Sequence, residues 1–264
     1  QADDLPAVLA VVGACGVLVT TRRHADAPDE VQDVEPLPQD ESLKLLRSWS
    51  DGYAAEDVAA NDIVLLLGGL PLALYLCGRY LAQKHQTASE YVGWLKTKGL
   101  EALHFGERPT TSIPLLLLRS LEQVSTEAKT AFAVAGILAL APFEREVIVA
   151  ALTAPPQRKN WQSLWQRKQL EAPTEAKVTQ ILGELVDYGL LLRPTTTYLV
   201  THTLAHSYAR TQCPLGPKTV NSLALYFAAK AEAESAKGLA GYAALNDQRA
   251  HIVAVQAAAL KAEQ

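Results

Sequence analysis

The spacing of apolar and polar residues predicts a mainly α-helical chain. From Gln39 onward, apolar residues recur every three to four positions, as they do on the buried face of an amphipathic helix. Leu43, Leu46 and Trp49 share one such face, and Asp40 can cap the helix that carries them. Further helices are predicted at residues 55–67, 72–84, 88–98, 113–123, 126–139, 144–152, 174–188, 202–210, 218–236 and 242–261.

The first 38 residues have a different pattern. Residues 3–12 have helical spacing, and the apolar run Val17-Leu18-Val19 predicts a short buried strand. This strand ends in polar residues, among them Thr21 and Arg22. Polar side chains at the end of a buried strand are where α/β sheets hold ligands. We therefore interpret residues 1–38 as the remnant of an α/β domain.

Three further regions follow. Residues 39–106 predict a small helical bundle, interrupted by the break Gly68-Gly69-Leu70-Pro71. Residues 107–212 contain helices followed by two short β-like runs, which is the order of a winged-helix domain. Residues 218–264 form a helical pair, which we expect to begin a longer helical array because two helices alone bury little surface.

Composition narrows the possible partners and compartments. With 24 basic and 28 acidic residues, the chain has a net charge of −4 and no overall footprint for nucleic acid or an anionic membrane. The three cysteines are far apart, which favours a reducing compartment. No apolar run reaches the roughly 20 residues of a membrane helix. We therefore expect a cytoplasmic protein. Because the sequence starts at Gln1 and lacks Met, we also expect it to be a piece of a longer protein.

Complete catalytic motifs are absent from the sequence. There is no G-x-x-x-x-G-K-[ST], G-x-G-x-x-G, G-x-S-x-G or C-x-x-C. His202 and His206 are four residues apart, but the H-E-x-x-H pattern is missing, so a metal site is not expected. No catalytic residue is assigned.

Three short segments nevertheless resemble one family in their order and spacing. The segment at 17–22 is similar to the sensor-1 strand of the NB-ARC/STAND class of AAA+-related NTPases. Gly-Leu-Pro-Leu at 69–72 is similar to that family's GLPL motif, and residues 200–209, around His202, resemble its Met-His-Asp region. The first gap is about 50 residues and the second about 130. The tail from Tyr242 is similar to the helical module that precedes TPR-like repeats in bacterial members.

The resemblance implies an ADP- or ATP-binding site. Arg22 has a fork of donors that suits a terminal phosphate, and Thr21 precedes it. In the family, the proline of the GLPL motif lies against adenine and the histidine of Met-His-Asp reaches the β-phosphate of ADP. By resemblance, these roles go to Pro71, flanked by Leu70, and to His202, and Tyr75 can line the pocket one turn after Pro71. Each residue also has a purely structural interpretation. Arg22 could form a surface salt bridge, Pro71 could be a helix-start proline in a packed bundle, and His202 could be a helix-capping or core histidine.

By the same resemblance, residues 1–38 are the end of the nucleotide-binding domain and residues 39–106 are its helical lid. The family's P-loop and Walker B residues, which hold phosphates and Mg²⁺, do not occur in these 264 residues. The P-loop half is therefore expected upstream in the same protein. That parent is expected to be a slow ATPase switch that forms homo-oligomers when a ligand binds downstream repeats. The 264 residues alone should neither hydrolyse ATP nor bind it tightly.

Two other functions fit parts of the sequence. A winged-helix transcriptional regulator would read DNA through residues 174–188. That segment has one basic residue, Lys177, against three acidic residues, which makes DNA an unfavourable partner. A nucleotide-independent helical adaptor would use the segment 157–168. In that segment Trp161 and Trp165 share one helical face, and tryptophan is typical of binding hot spots.

Overall fold

A computed structural model describes residues 32, 34–104, 112–153 and 174–262. The chain divides into two units, Gln1–Pro36 and Leu37–Gln264. Of the first unit, only residues 32 and 34–36 are described. The following description therefore concerns the second unit.

Four helices form the first part of this unit. The break between the second and third of them falls at two glycines and Pro71, as the sequence predicts. The third helix packs against the first, and the fourth against the second, around apolar side chains such as Leu46, Ile63 and Leu81. These helices are α1 (Gln39–Trp49), α2 (Asp57–Leu66), α3 (Pro71–Lys84) and α4 (Ala88–His104).

Five helices and a small hairpin follow. Side chains of Ser125 and Thr174 cap α6 and α8 by accepting hydrogen bonds from backbone amides of the first turn. The two strands pair antiparallel, with Leu191 opposite Val200. The elements are α5 (Ser112–Gln123), α6 (Thr126–Ile137), α7 (Arg145–Leu152), α8 (Glu175–Asp187), β1 (Leu191–Leu192), β2 (Leu199–Val200) and α9 (Thr203–Gln212).

The described part of the chain ends in a pair of long helices, α10 (Pro217–Ser235) and α11 (Leu239–Ala262). They pack on each other along their length, and α10 also packs on α7 while α11 touches α6. Leu223, Phe227 and Val255 of this pair are buried.

Two helix crossings depend on glycine, because a larger residue would collide with backbone. A Cβ atom at Gly136 of α6 would lie 2.7 Å from the backbone nitrogen of Arg210 in α9. A Cβ atom at Gly78 of α3 would lie 3.0 Å from the carbonyl oxygen of Leu46 in α1. Such close approaches bring the helices together without strained side chains.

The prediction of a mainly α-helical chain is confirmed, and two local expectations are wrong. Asp40 does not cap α1, which begins at Gln39, so Asp40 lies in the first turn, where its charge still favours the helix dipole. Gly99 does not end α4, which continues to His104. No helix in the described ranges has the length and apolar character needed to cross a membrane.

Candidate functional site

The turn before α3 places Leu70 and Pro71 at the start of that helix. Gly68 and Gly69 have φ values of +62° and +65°, which glycine adopts without strain. The Gly69 carbonyl accepts a hydrogen bond from the Leu37 amide at 3.0 Å, which fixes the turn. Pro71 occupies the first helical position, where an N–H would have no partner in the helix. Leu70 is half-buried and Pro71 is exposed.

Tyr75 lies one turn after Pro71. Its ring meets the ring of Trp49 edge-on, with 4.9 Å between the centroids. It also lies against the backbone of Gly189, where a Cβ atom would come within 2.8 Å of the Tyr75 Cε1 atom. Burial raises the pKa of the Tyr75 hydroxyl, and the cation of Arg79 opposes this only in part. Tyr75 is thus a neutral, half-buried contact between α3 and the turn after α8.

His202 is the N-cap residue of α9. Its Nδ1 atom accepts a hydrogen bond from the Leu204 amide at 3.1 Å, so the proton of the neutral ring is on Nε2. The side chain is exposed, and its Nε2 atom has no hydrogen-bond partner in the part of the chain that the structure describes. The imidazole therefore caps the helix through one nitrogen and leaves the other open.

Gly189 links Tyr75 to the start of α9. The Thr201 hydroxyl donates a hydrogen bond to the Gly189 carbonyl at 2.7 Å, and the Thr201 amide donates to the Leu190 carbonyl at 3.3 Å. Thr201 directly precedes His202, so α9 begins against the same glycine that the Tyr75 ring contacts. Tyr75 and Thr201, which are far apart in sequence, thus both contact Gly189, and Thr201 directly precedes His202.

The other predicted site residues divide into two groups. Leu70 and Pro71 are on the same helix as Tyr75, and the four-residue spacing puts Pro71 and Tyr75 on one helical face. The second group lies outside the described part of the chain: Thr21, Arg22, Trp161 and Trp165. The proposed roles of both groups, and that of His202, stay predictions.

His206 does not join His202. Its Nε2 atom lies 2.8 Å from the carbonyl oxygen of Leu138, to which it donates a hydrogen bond. Within residues 32, 34–104, 112–153 and 174–262, no three His, Cys, Asp or Glu side chains are grouped so that they could hold a metal ion.

Helix α8 precedes the hairpin, where a DNA-binding winged helix carries its recognition residues. Two of its acidic side chains are engaged by cations of other helices. Glu175 pairs with Arg145 at 3.0 Å, and Asp187 lies 3.5 Å from Arg79. Carboxylates on this helix would repel the phosphates of DNA.

Two arginines that the sequence pattern did not single out hold this region together. Arg79 donates from Nε to the Asp187 carbonyl at 2.8 Å and from Nη2 to the Val186 carbonyl at 3.2 Å, which satisfies the last carbonyls of α8. Its position four residues after Tyr75 was an available signal. Arg119 is buried among aromatic rings, and its signal was a single cation directly after four leucines.

Neither the models of known protein families nor the sequences of curated proteins match this chain.

Proposed function

We propose that the chain is the ADP/ATP-binding regulatory portion of a STAND-type signal-transduction NTPase. The observation that carries this proposal is the meeting of α3 and α9 at Gly189. Helix α3 begins in the Gly-Leu-Pro-Leu segment, and α9 begins at His202. These are the two segments that resemble the family's GLPL and Met-His-Asp motifs, and Tyr75 and Thr201 hold them to one turn.

The exposed groups at the starts of α3 and α9 have the chemistry that a nucleotide needs. Pro71 presents an apolar ring for a purine, at a helix N-terminus whose first amides have no partner within the helix. His202 can donate from its open Nε2 atom to a phosphate oxygen. Arg22 would add a fork of donors to the terminal phosphate. In this proposal, bound ADP supplies the charge that these groups recognise.

A P-loop half of the same protein would provide the rest of the site. The backbone amides, lysine and hydroxyl that hold phosphates and Mg²⁺ in such NTPases are not among the motifs of this sequence. We therefore assign binding and switching to these residues and hydrolysis to the combined protein, a slow ATPase. The described chain would close over the nucleotide as a lid and a winged-helix latch.

The bound nucleotide would switch the protein between a closed and an open state because it makes different contacts in each. ADP would hold the closed arrangement, and its exchange for ATP, prompted by a ligand on downstream TPR-like repeats, would release α9 and permit homo-oligomerisation in the cytoplasm. A nucleotide shifts such an equilibrium only by its difference in affinity for the two states. Thr201 and Thr203 stand where the family has Met and Asp, so we propose a latch that is weaker or differently tuned than the family's.

Photolabelling with 8-azido-ADP tests this proposal on the 264-residue chain. At millimolar concentration, which compensates for the missing phosphate ligands, we expect label within α3, near Pro71 and Tyr75. His202→Ser should reduce labelling several-fold without unfolding α9, because serine is itself a favourable N-cap. Excess unlabelled ADP should compete.

The matched control is His85→Ser at the opposite end of α3, where an exposed histidine bonds to Tyr53. That variant should label like the unchanged chain. If His202→Ser labels as strongly as His85→Ser while its circular dichroism is unchanged, His202 is a helix cap only and the nucleotide proposal is wrong.

A further inference from the structure

Arg119 of α5 lies inside a cage of three aromatic rings. Its Cζ atom is 3.5 Å from the ring centroid of Trp94, 4.5 Å from that of Tyr80 and 4.6 Å from that of Tyr91. Only 8% of the residue is exposed. Ring faces carry negative charge density, so this arrangement holds a cation.

The guanidinium group has few polar partners for a buried cation. Its Nη2 atom donates to the Gln86 side-chain oxygen at 3.3 Å, while Nε is buried without a hydrogen-bond partner. Among the described residues, no carboxylate lies within 4 Å of it. Withdrawal of the guanidinium group from the cage would therefore break ring contacts and one hydrogen bond but no buried ion pair.

The cage joins two parts of the structure. Tyr80 is on α3, and Tyr91 and Trp94 are on α4, whereas Arg119 is on α5, the first helix of the following part. The Tyr80 ring also meets the ring of Tyr188, at the end of α8, with 6.3 Å between centroids.

Besides the cage and the packing of α3 on α5, two contacts between these parts lie on one face of α3. Tyr75 contacts the Gly189 turn, and Arg79 holds the last carbonyls of α8. Residues 75 and 79 are one helical turn apart, so a small rotation of α3 changes both of these contacts together. Arg119 is the contact on the far helix that opposes such a rotation.

We propose that Arg119 is a cation lock, a positioning residue that fixes the orientation of α5–α9 relative to α1–α4. Its withdrawal from the cage lets the two groups of helices turn against each other while each stays folded. The consequence for a bound nucleotide rests on the function proposed above: the lock would set the separation between Pro71 and His202.

Spin-label distance measurements test the lock without any nucleotide. The labels are attached through Val58→Cys on α2 and Lys177→Cys on α8, both at exposed positions, with Cys15 and Cys213 changed to serine and the buried Cys77 retained. We expect one narrow distance distribution for the unchanged Arg119. Arg119→Ala should at least double its width, and millimolar guanidinium should narrow it again relative to equal sodium chloride, because the empty cage accepts a small cation.

Arg119→Met separates charge from volume, because methionine fills much of the same space without a cation. Under the proposal it also widens the distribution. A distribution as narrow as that of the unchanged chain would overturn the lock, since filling the cage would then suffice. Loss of helical circular dichroism in both variants would overturn it as well, because a lock must open without unfolding what it joins. If 8-azido-ADP does not label the chain, the spin-label distances still test the cation lock, so the experiment distinguishes failure of the lock from failure of the nucleotide proposal.

Discussion

The junction at α3 and the attachment of the α10–α11 pair are held by different chemistry. At the α3 junction, aromatic rings, a glycine and two arginines meet. The α10–α11 pair is attached through a histidine and an ion pair besides its apolar contacts. The first junction therefore depends on close ring contacts and on cations held by rings and backbone carbonyls. The second includes a buried histidine and a partly exposed ion pair, which respond to pH and to salt.

The polar contacts of the second junction meet in the segment before α7. Lys230 of α10 pairs with Glu144, with 2.5 Å between Nζ and Oε2. His251 of α11 is fully buried and donates from Nε2 to the Pro142 carbonyl at 2.9 Å, while its Nδ1 atom is buried without a partner among the described residues. Burial lowers the pKa of His251, although the Pro142 carbonyl and Glu144 oppose this shift.

The largest effect is expected for Gly189→Ala at the α3 junction. Gly189 has φ +71°, so alanine is strained there by about 1 kcal/mol, and its Cβ atom would press on the Tyr75 ring. Overpacking of this kind adds about 1–3 kcal/mol. We expect the free energy of unfolding, measured by urea titration, to fall by about 2–4 kcal/mol.

Tyr75→Leu provides the control for this change, because it removes the ring that the new methyl group would meet. In the Tyr75→Leu background, Gly189→Ala should cost mainly the backbone strain, because only the flexible side chain of Arg79, with its Cγ atom at 3.3 Å, still meets the new methyl group. Equal losses in both backgrounds would mean that the contact between ring and glycine does not define the junction.

His251→Gln tests the second junction through its pH dependence. Because folding lowers the pKa of His251, the unfolded chain binds a proton more readily. The stability contributed by the neutral ring is complete above about pH 6.5 and is lost as the pH falls through the folded pKa. We expect hydrogen exchange in residues 239–262, corrected for intrinsic rates, to become faster at pH 5.5 than at pH 7.5.

Glutamine can donate to the Pro142 carbonyl from nearly the same place but does not titrate in this range. The His251→Gln variant should therefore lose most of this extra pH dependence, while exchange in α3 keeps the same ratio in both proteins. The same pH dependence in the variant would assign the effect to other groups.

The sequence predicted the features that local chemistry decides. Two glycines followed by Pro71 must produce a turn and a helix start, whatever surrounds them. Gly99 misled the prediction because a glycine costs a helix only about 1 kcal/mol and does not by itself end it. The pairing of Tyr75 with Gly189 and the cage around Arg119 join residues distant in sequence, so neither pattern nor spacing could reveal them.

The smallest effect is expected for Lys230→Met at the second junction. Methionine keeps an apolar stem near Tyr226 and removes the ammonium group, which interacts with Tyr226 as well as with Glu144. Lys230 and Glu144 retain 22% and 41% side-chain exposure. A partly exposed ion pair of this kind contributes at most about 1 kcal/mol, and salt screens it. Urea titrations should show a decrease in the free energy of unfolding that is below that value and becomes smaller at high ionic strength.

Glu144→Gln provides the control and should decrease the free energy of unfolding by the same amount. Combining the two changes should add little, because each alone already breaks the ion pair. A loss as large as that of Gly189→Ala would show that the two junctions do not differ as argued.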